Sequence, residues 1–198
     1  QKILKEETPQ HVGGCFALLP PDSFHMTIAD LVTPKNRDAL CPGIHGDMKA
    51  LGQHLHEKTS DITAMAPSNL FYLEMNSVSL DGVLAIELMP YEPKTALALA
   101  SWRHSLFTRL GIFLKPLQQL LLLIYSKIGF PYSMGYVFHI TLAYRVLPIN
   151  DPDAHKILEE TRRKIQRMLE ESKQFDLIPI GSPELCSFDD MSAFHKVS

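Results

Sequence analysis

Alternating apolar and polar residues mark several stretches of this chain as strands, and apolar residues recurring every three or four positions mark others as helices. Residues 13–19 read as a first strand, stopped by Pro20-Pro21, and residues 24–32 as a second, stopped by Thr33-Pro34. Between 46 and 59, Met48, Leu51 and Leu55 fall at helical spacing. The runs 70–78 and 83–91 flank Asp81-Gly82, the residue pair of a type I′ hairpin, and are predicted to lie side by side and antiparallel. Pro93 opens an Ala/Leu-rich helix carrying Ala96, Leu97, Ala100, Leu106 and Leu110, which Gly111 can close. Residues 117–125 predict another helix, 129–132 a loop, and 136–146 a strand ended by Pro148. Asp151 and Pro152 then start an amphipathic helix with Ile157, Leu158, Ile165, Met168 and Leu169 on one side. Residues 175–180 and 184–188 are strand-like.

The resulting order, β-β-α, β-β-α-α, β-α, β-β, predicts an α+β protein with a mixed or antiparallel sheet. Strands 24–32 and 136–146 carry one pattern twice, Phe24-His25-Met26-Thr27-Ile28 and Phe138-His139-Ile140-Thr141-Leu142, each an H-x-T followed by a helix. That repetition hints at two related lobes. In an extended strand His25 and Thr27 share one face and Phe24, Met26 and Ile28 the other; His139 and Thr141 likewise stand opposite Phe138, Ile140 and Leu142. A histidine and a hydroxyl two residues apart lie roughly 7 Å from each other at Cα, so both can touch one phosphate-sized group. Two such strands side by side would bracket it.

Composition narrows the ligand. With 198 residues, 45% hydrophobic and 21% charged, the chain can bury one substantial core or two small lobes sharing one. A formal net charge of −3 provides no general attraction for a long polyanion, which favours a small substrate over a long nucleic-acid surface. Cys15, Cys41 and Cys186 are widely spaced and odd in number, which argues against a disulfide framework or structural zinc and fits a reducing, cytoplasmic setting. The stretch 1–7 is too charged to read as a signal peptide. The apolar run 117–125 is too short for a transmembrane helix, which needs about 20 apolar residues. A buried helix or a hydrophobic lid is the expectation there.

The paired motifs resemble those of the 2H phosphoesterase superfamily, and the wording Ser23-Phe24-His25-Met26-Thr27 with Phe138-His139-Ile140-Thr141-Leu142-Ala143-Tyr144 is similar in particular to its cyclic-phosphodiesterase-like branch. The resemblance implies a single bilobal domain over residues 1–198, with two pseudo-symmetric lobes of antiparallel or mixed sheet, outer helices and a groove between them. It also implies a metal-independent hydrolase without a cofactor, acting on a small 2′,3′-cyclic nucleotide, a cyclic-phosphate RNA end or an ADP-ribose cyclic phosphate. Opening such a ring needs a base for the attacking water and an acid for the leaving ribose oxygen, and histidine, with an unperturbed pKa near 6.5, can serve as either. His25 and His139 would be that pair, in an order the sequence does not give. Thr27 and Thr141 would donate hydrogen bonds to the non-bridging oxygens.

By strand alternation Arg145 and Ala143 fall on the His139 face, making Arg145 a candidate for a second phosphate or a base, while Tyr144 points with Ile140 into the core. Tyr132 and Tyr136, beside the loop entering the second motif, are weak candidates for stacking on a base, although packing is the commoner role. The loop 34–44 is a candidate cover for the pocket. His45, His54 and His56 lack metal-ligand spacing, since i and i+2 on a helix do not share a face, and read instead as a solvated helix face. Arg162, Arg163, Lys164 and Arg167 beside Glu159, Glu160, Glu170 and Glu171 read as a solvated helix face. The alternative is a nucleotide- or phosphate-binding module, or a repurposed pocket of this kind, without phosphodiesterase activity.

Overall fold

The computed structural model describes residues 2–27, 29, 31–32, 38, 41, 43–44, 47–64, 71–111, 137–190 and 193–196. Strands β1 (Phe16–Leu18), β2 (Phe71–Asp81), β3 (Val83–Pro90), β4 (Phe138–Arg145) and β5 (Ile178–Ile180) form one antiparallel sheet in the order β1-β4-β3-β2-β5. A separate antiparallel pair joins β6 (Cys186–Asp190) to β7 (Ala193–Lys196). Among the described residues the α-helices are α1 (Gln10–Gly13), α2 (Met48–Ala64), α3 (Pro93–Arg109) and α4 (Ala154–Ser172). The protein is therefore α+β, and among the described residues no helix is long and apolar enough to cross a membrane.

Two compact units emerge. The first comprises Gln1–Thr27, Leu73–Met89 and Val137–Ile178; the second comprises Ile28–Tyr72, Pro90–Tyr136 and Pro179–Ser198. The repeated motif predicts one H-x-T per lobe, yet both copies lie in the first unit. Backbone pairing explains why, because Met26 forms an antiparallel bridge to Ile140 and ties the copies together.

In the first unit, β2 and β3 meet at Asp81-Gly82 as the sequence predicts. Outside glycine, Lys173 is the one described residue with positive φ, so Gly82 (φ 77°) alone takes that conformation at the turn. A type I′ turn needs two such residues, and the turn is of another kind. The Gly82 carbonyl accepts the Arg145 N–H at 2.8 Å, binding the hairpin end to β4. Along β3, Leu84, Ile86 and Leu88 alternate and are almost wholly buried. Each such side chain contributes about 1.5–3 kcal/mol.

Helix α4 buries Thr161, Ile165 and Leu169, four residues apart on one stripe. The stripe packs on a π-helical turn at Ile3–Glu7 and on α1; the Thr161 hydroxyl meets that of Thr8 at 3.3 Å, and Thr8 also donates to the Ile3 carbonyl. Met168, expected on the buried side, is 46% exposed, one position off the stripe. Asp151 starts the helix through its neighbours: its carboxylate accepts the Asp153 N–H at 2.7 Å and its carbonyl the Ala154 N–H at 3.0 Å. Lys173, in the left-handed conformation (φ 55°), ends it.

In the second unit α2 packs against α3. Leu51, Leu55, Cys41 and Leu110 form its core, joined by Leu31, Val32, Ile44 and Leu185. Trp102 donates its indole N–H to the Ile62 carbonyl at 3.0 Å, and Arg109 pairs with Asp61 at 2.7 Å. Gly111, with φ 70°, follows α3 as its sequence position requires. The predicted helix at 117–125 lies outside the described residues.

Candidate functional site

The second motif sits on β4, an inner strand. β1 pairs with one edge of it, through Phe16–Arg145, Ala17–Tyr144 and Leu18–Ala143, and β3 with the other, from Val83–Tyr144 to Leu88–Phe138. The first motif, predicted as a strand over 24–32, follows a 3-10 turn at Pro21–Ser23 and is extended, with its described pairing confined to the bridge from Met26 to Ile140. An antiparallel bridge at that pair sets His25 across from Thr141 and Thr27 across from His139. Met26 and Ile140 share one face, so the four motif residues share the other. Opposed residues in such a pair stand about 5 Å apart and diagonal ones about 7–8 Å. The histidines occupy one diagonal and the threonines the other.

Both rings are anchored alike. His25 Nδ1 lies 2.7 Å from the Ser23 carbonyl and His139 Nδ1 lies 2.9 Å from the Val137 carbonyl, in each case two residues back along the same segment. A carbonyl only accepts, so Nδ1 carries the hydrogen in each ring. Because the segments run antiparallel, the rings are drawn in opposite directions along them. His25, Thr27 and His139 are half-buried, and Thr141 is 5% exposed. On the other face, expected to belong to the core, Met26, Phe138 and Ile140 are only half-buried and Phe24 is 40% exposed. It lies at the exit of the 3-10 turn, before pairing begins.

A β-bulge changes the neighbours. Ala85 is paired with Thr141 and Leu84 with Ala143, so Leu142 is an extra residue in β4. β3 alternates without interruption; Val83, Ala85 and Glu87 face one way and Leu84, Ile86 and Leu88 the other. Their partners follow them. Tyr144 therefore shares the face of Thr141 and His139, whereas Ala143, wholly buried, joins the Leu84 face. Arg145 stands beyond it, opposite the buried Phe16. Uninterrupted alternation predicts the reverse for Tyr144 and Arg145. Nothing in Leu142-Ala143-Tyr144 announces the extra residue, so the exchange is invisible without the pairing partner.

Glu87 is a second neighbour that the motif search passes over. It lies directly across β3–β4 from His139, on the same face, and its carboxylate accepts a hydrogen bond from the Ser77 hydroxyl of β2. Its signal was a lone charge in the apolar strand Val83–Pro90. The charge of Glu87 also reaches Arg162 of α4 and, after the stronger effect of Glu159, raises the guanidinium's proton affinity. Glu159 takes hydrogen bonds from both Arg162 and Arg163, and these hold its carboxyl at about 2.

Tyr132 and Tyr136 lie outside the described residues, as do His45 and most of the loop 34–44. His54 is half-buried, with its Nε2 lacking a hydrogen-bond partner among the described residues, so a solvated helix face describes His56 but not His54. Among the described residues no three His, Cys, Asp or Glu side chains gather as a metal site.

No family model and no curated protein matches this chain. It is similar in fold to a solved structure, the conserved protein of unknown function ATU0111 from Agrobacterium tumefaciens str. C58, with a TM-score of 0.63 and 19% sequence identity over 96% of this chain and 72% of that one.

Proposed function

We propose that His25, Thr27, His139 and Thr141 form a phosphoesterase site that hydrolyses a small 2′,3′-cyclic nucleotide phosphate. The observation that carries this reading is the bridge between Met26 and Ile140, which puts two histidines and two hydroxyls on one face at the spacing of a phosphate group. The likeness of both motifs to those of the 2H phosphoesterases points the same way.

The phosphorus sits between the diagonals. One histidine accepts a proton from water at Nε2 while the water oxygen forms a bond to phosphorus. On the far side, the bond from phosphorus to one ribose oxygen breaks, and that oxygen takes the proton from Nε2–H of the other histidine. The product is a phosphomonoester, and the two rings have exchanged protonation states, which solvent resets. Thr27 and Thr141, on the other diagonal, donate to the non-bridging oxygens as negative charge accumulates. Anchoring Nδ1 to the backbone keeps each Nε2 aimed without reorganisation during the reaction. Both proton transfers are supplied by side chains, so the chemistry needs no metal.

The test is turnover of 2′,3′-cyclic AMP in EDTA by the native protein and by the single variants His25→Ala and His139→Ala. Each substitution is expected to lower kcat by about 10²- to 10⁴-fold. Nucleotide binding without turnover by the native protein, or near-native activity in either variant, would leave a binding module in place of an enzyme.

A further inference from the structure

Resting on that reading, we infer that the site selects cyclic phosphates carrying no second phosphate, a nucleoside 2′,3′-cyclic phosphate with a free 5′-hydroxyl rather than a 5′-phosphorylated nucleotide. The inference comes from what surrounds the quartet. A second phosphate is normally held by a cation beside the first, and the cation nearest the motif in sequence is Arg145. The extra residue Leu142 turns Arg145 to the other side of the sheet and sets Tyr144 in its place. Among the described residues, that end of the site thus presents the aromatic ring of Tyr144 and not the Arg145 cation, suited to a nucleoside ring.

The flank on β3 is anionic. Glu87 stands directly across from His139, in a row that runs from Thr27 through His139 to Glu87 and Ser77. The Ser77 hydroxyl donates to that carboxylate. Arg162, the cation within reach of Glu87, is already bonded through two nitrogens to Glu159, at 2.8 and 2.9 Å. Two carboxylates therefore share one guanidinium there. A phosphate bound by the quartet tolerates Glu87 because two histidines, one of them protonated, and two hydroxyls hold it. Among the described residues, a second phosphate on that side has no such compensation and meets Glu87 as a like charge.

The test compares kcat/KM for 2′,3′-cyclic AMP with that for the same compound bearing a 5′-phosphate, in the native protein and in Glu87→Gln. Two unit charges about 7 Å apart, between the dielectric response of water and that of a protein surface, give about 3- to 50-fold discrimination. The native protein is expected to prefer the 5′-hydroxyl compound by a factor in that range, and the preference should shrink as salt is added. Glu87→Gln, which keeps an acceptor for Ser77, should bring the two substrates to within about twofold. Equal or better use of the 5′-phosphorylated compound by the native protein overturns the inference, as does a preference unchanged in Glu87→Gln. Those outcomes leave the phosphoesterase reading intact. Absence of turnover with both compounds defeats that reading and this inference with it.

Discussion

The two H-x-T segments carry the same residues on different supports. β4 is bonded along both edges and buries Ala143 completely, whereas the described pairing of the His25 segment is the bridge at Met26, next to a 3-10 turn and the exposed ring of Phe24. Identical short motifs therefore do not imply identical dependence on the fold. The second copy is built into the sheet, and the first is laid against it. The carbonyl at i−2 restores local equivalence, since it fixes each imidazole from within its own segment.

Substitutions that probe packing should separate the copies most. Ala143→Leu enlarges a wholly buried side chain and is expected to cost about 1–3 kcal/mol. Phe24→Ser, at the surface, should stay within about 0.5 kcal/mol. Chemical denaturation of both variants measures the contrast; equal losses would show that the first segment is as deeply integrated as β4.

The bulge gives a smaller effect that sharpens the comparison further. Tyr144→Ala should raise KM for a cyclic nucleotide about 3- to 10-fold by removing a ring from the motif face, a loss in the range of one aromatic contact. Arg145→Ala should leave KM unchanged. The opposite result would mean that simple alternation describes β4 and that the extra residue at Leu142 has no bearing on the site.

Much of this was legible in the residues themselves. The shared face of each histidine and threonine follows from a period of two, and the hairpin at Asp81-Gly82 from turn chemistry. Three features were not legible. Leu142 keeps the apolar–polar alternation of Phe138 to Thr141, and only its failure to pair with β3 exposes the bulge. Phe24 is apolar and correctly spaced for a core strand, but the preceding turn delays pairing until Met26. Glu87 reads as an ordinary strand residue until cross-strand register sets it opposite His139. Each omission concerns the partner strand, information that a local pattern does not contain.

The smallest effect lies away from the motifs, on α4. Arg162 and Arg163 hold the Glu159 carboxyl at about 2, below its ordinary 4.5. A carboxyl more acidic in the folded chain stabilises it above the ordinary value and loses that contribution as pH falls from about 4.5 toward 2. Glu159→Gln should therefore flatten the decline of Tm across that interval and leave its dependence at higher pH unaltered. Glu159 is substantially exposed, so the change should be slight. Thermal unfolding followed at several pH values reads it directly.

The joint action of the histidines is tested most directly by a double-mutant cycle on kcat with 2′,3′-cyclic AMP, using His25→Ala, His139→Ala and the double variant. Residues that act as one acid–base unit lose most of their effect with either partner, so the double variant should be slower than the worse single variant by less than about 10-fold. Losses that multiply across the cycle would contradict a shared site, and so would a single variant that retains native kcat.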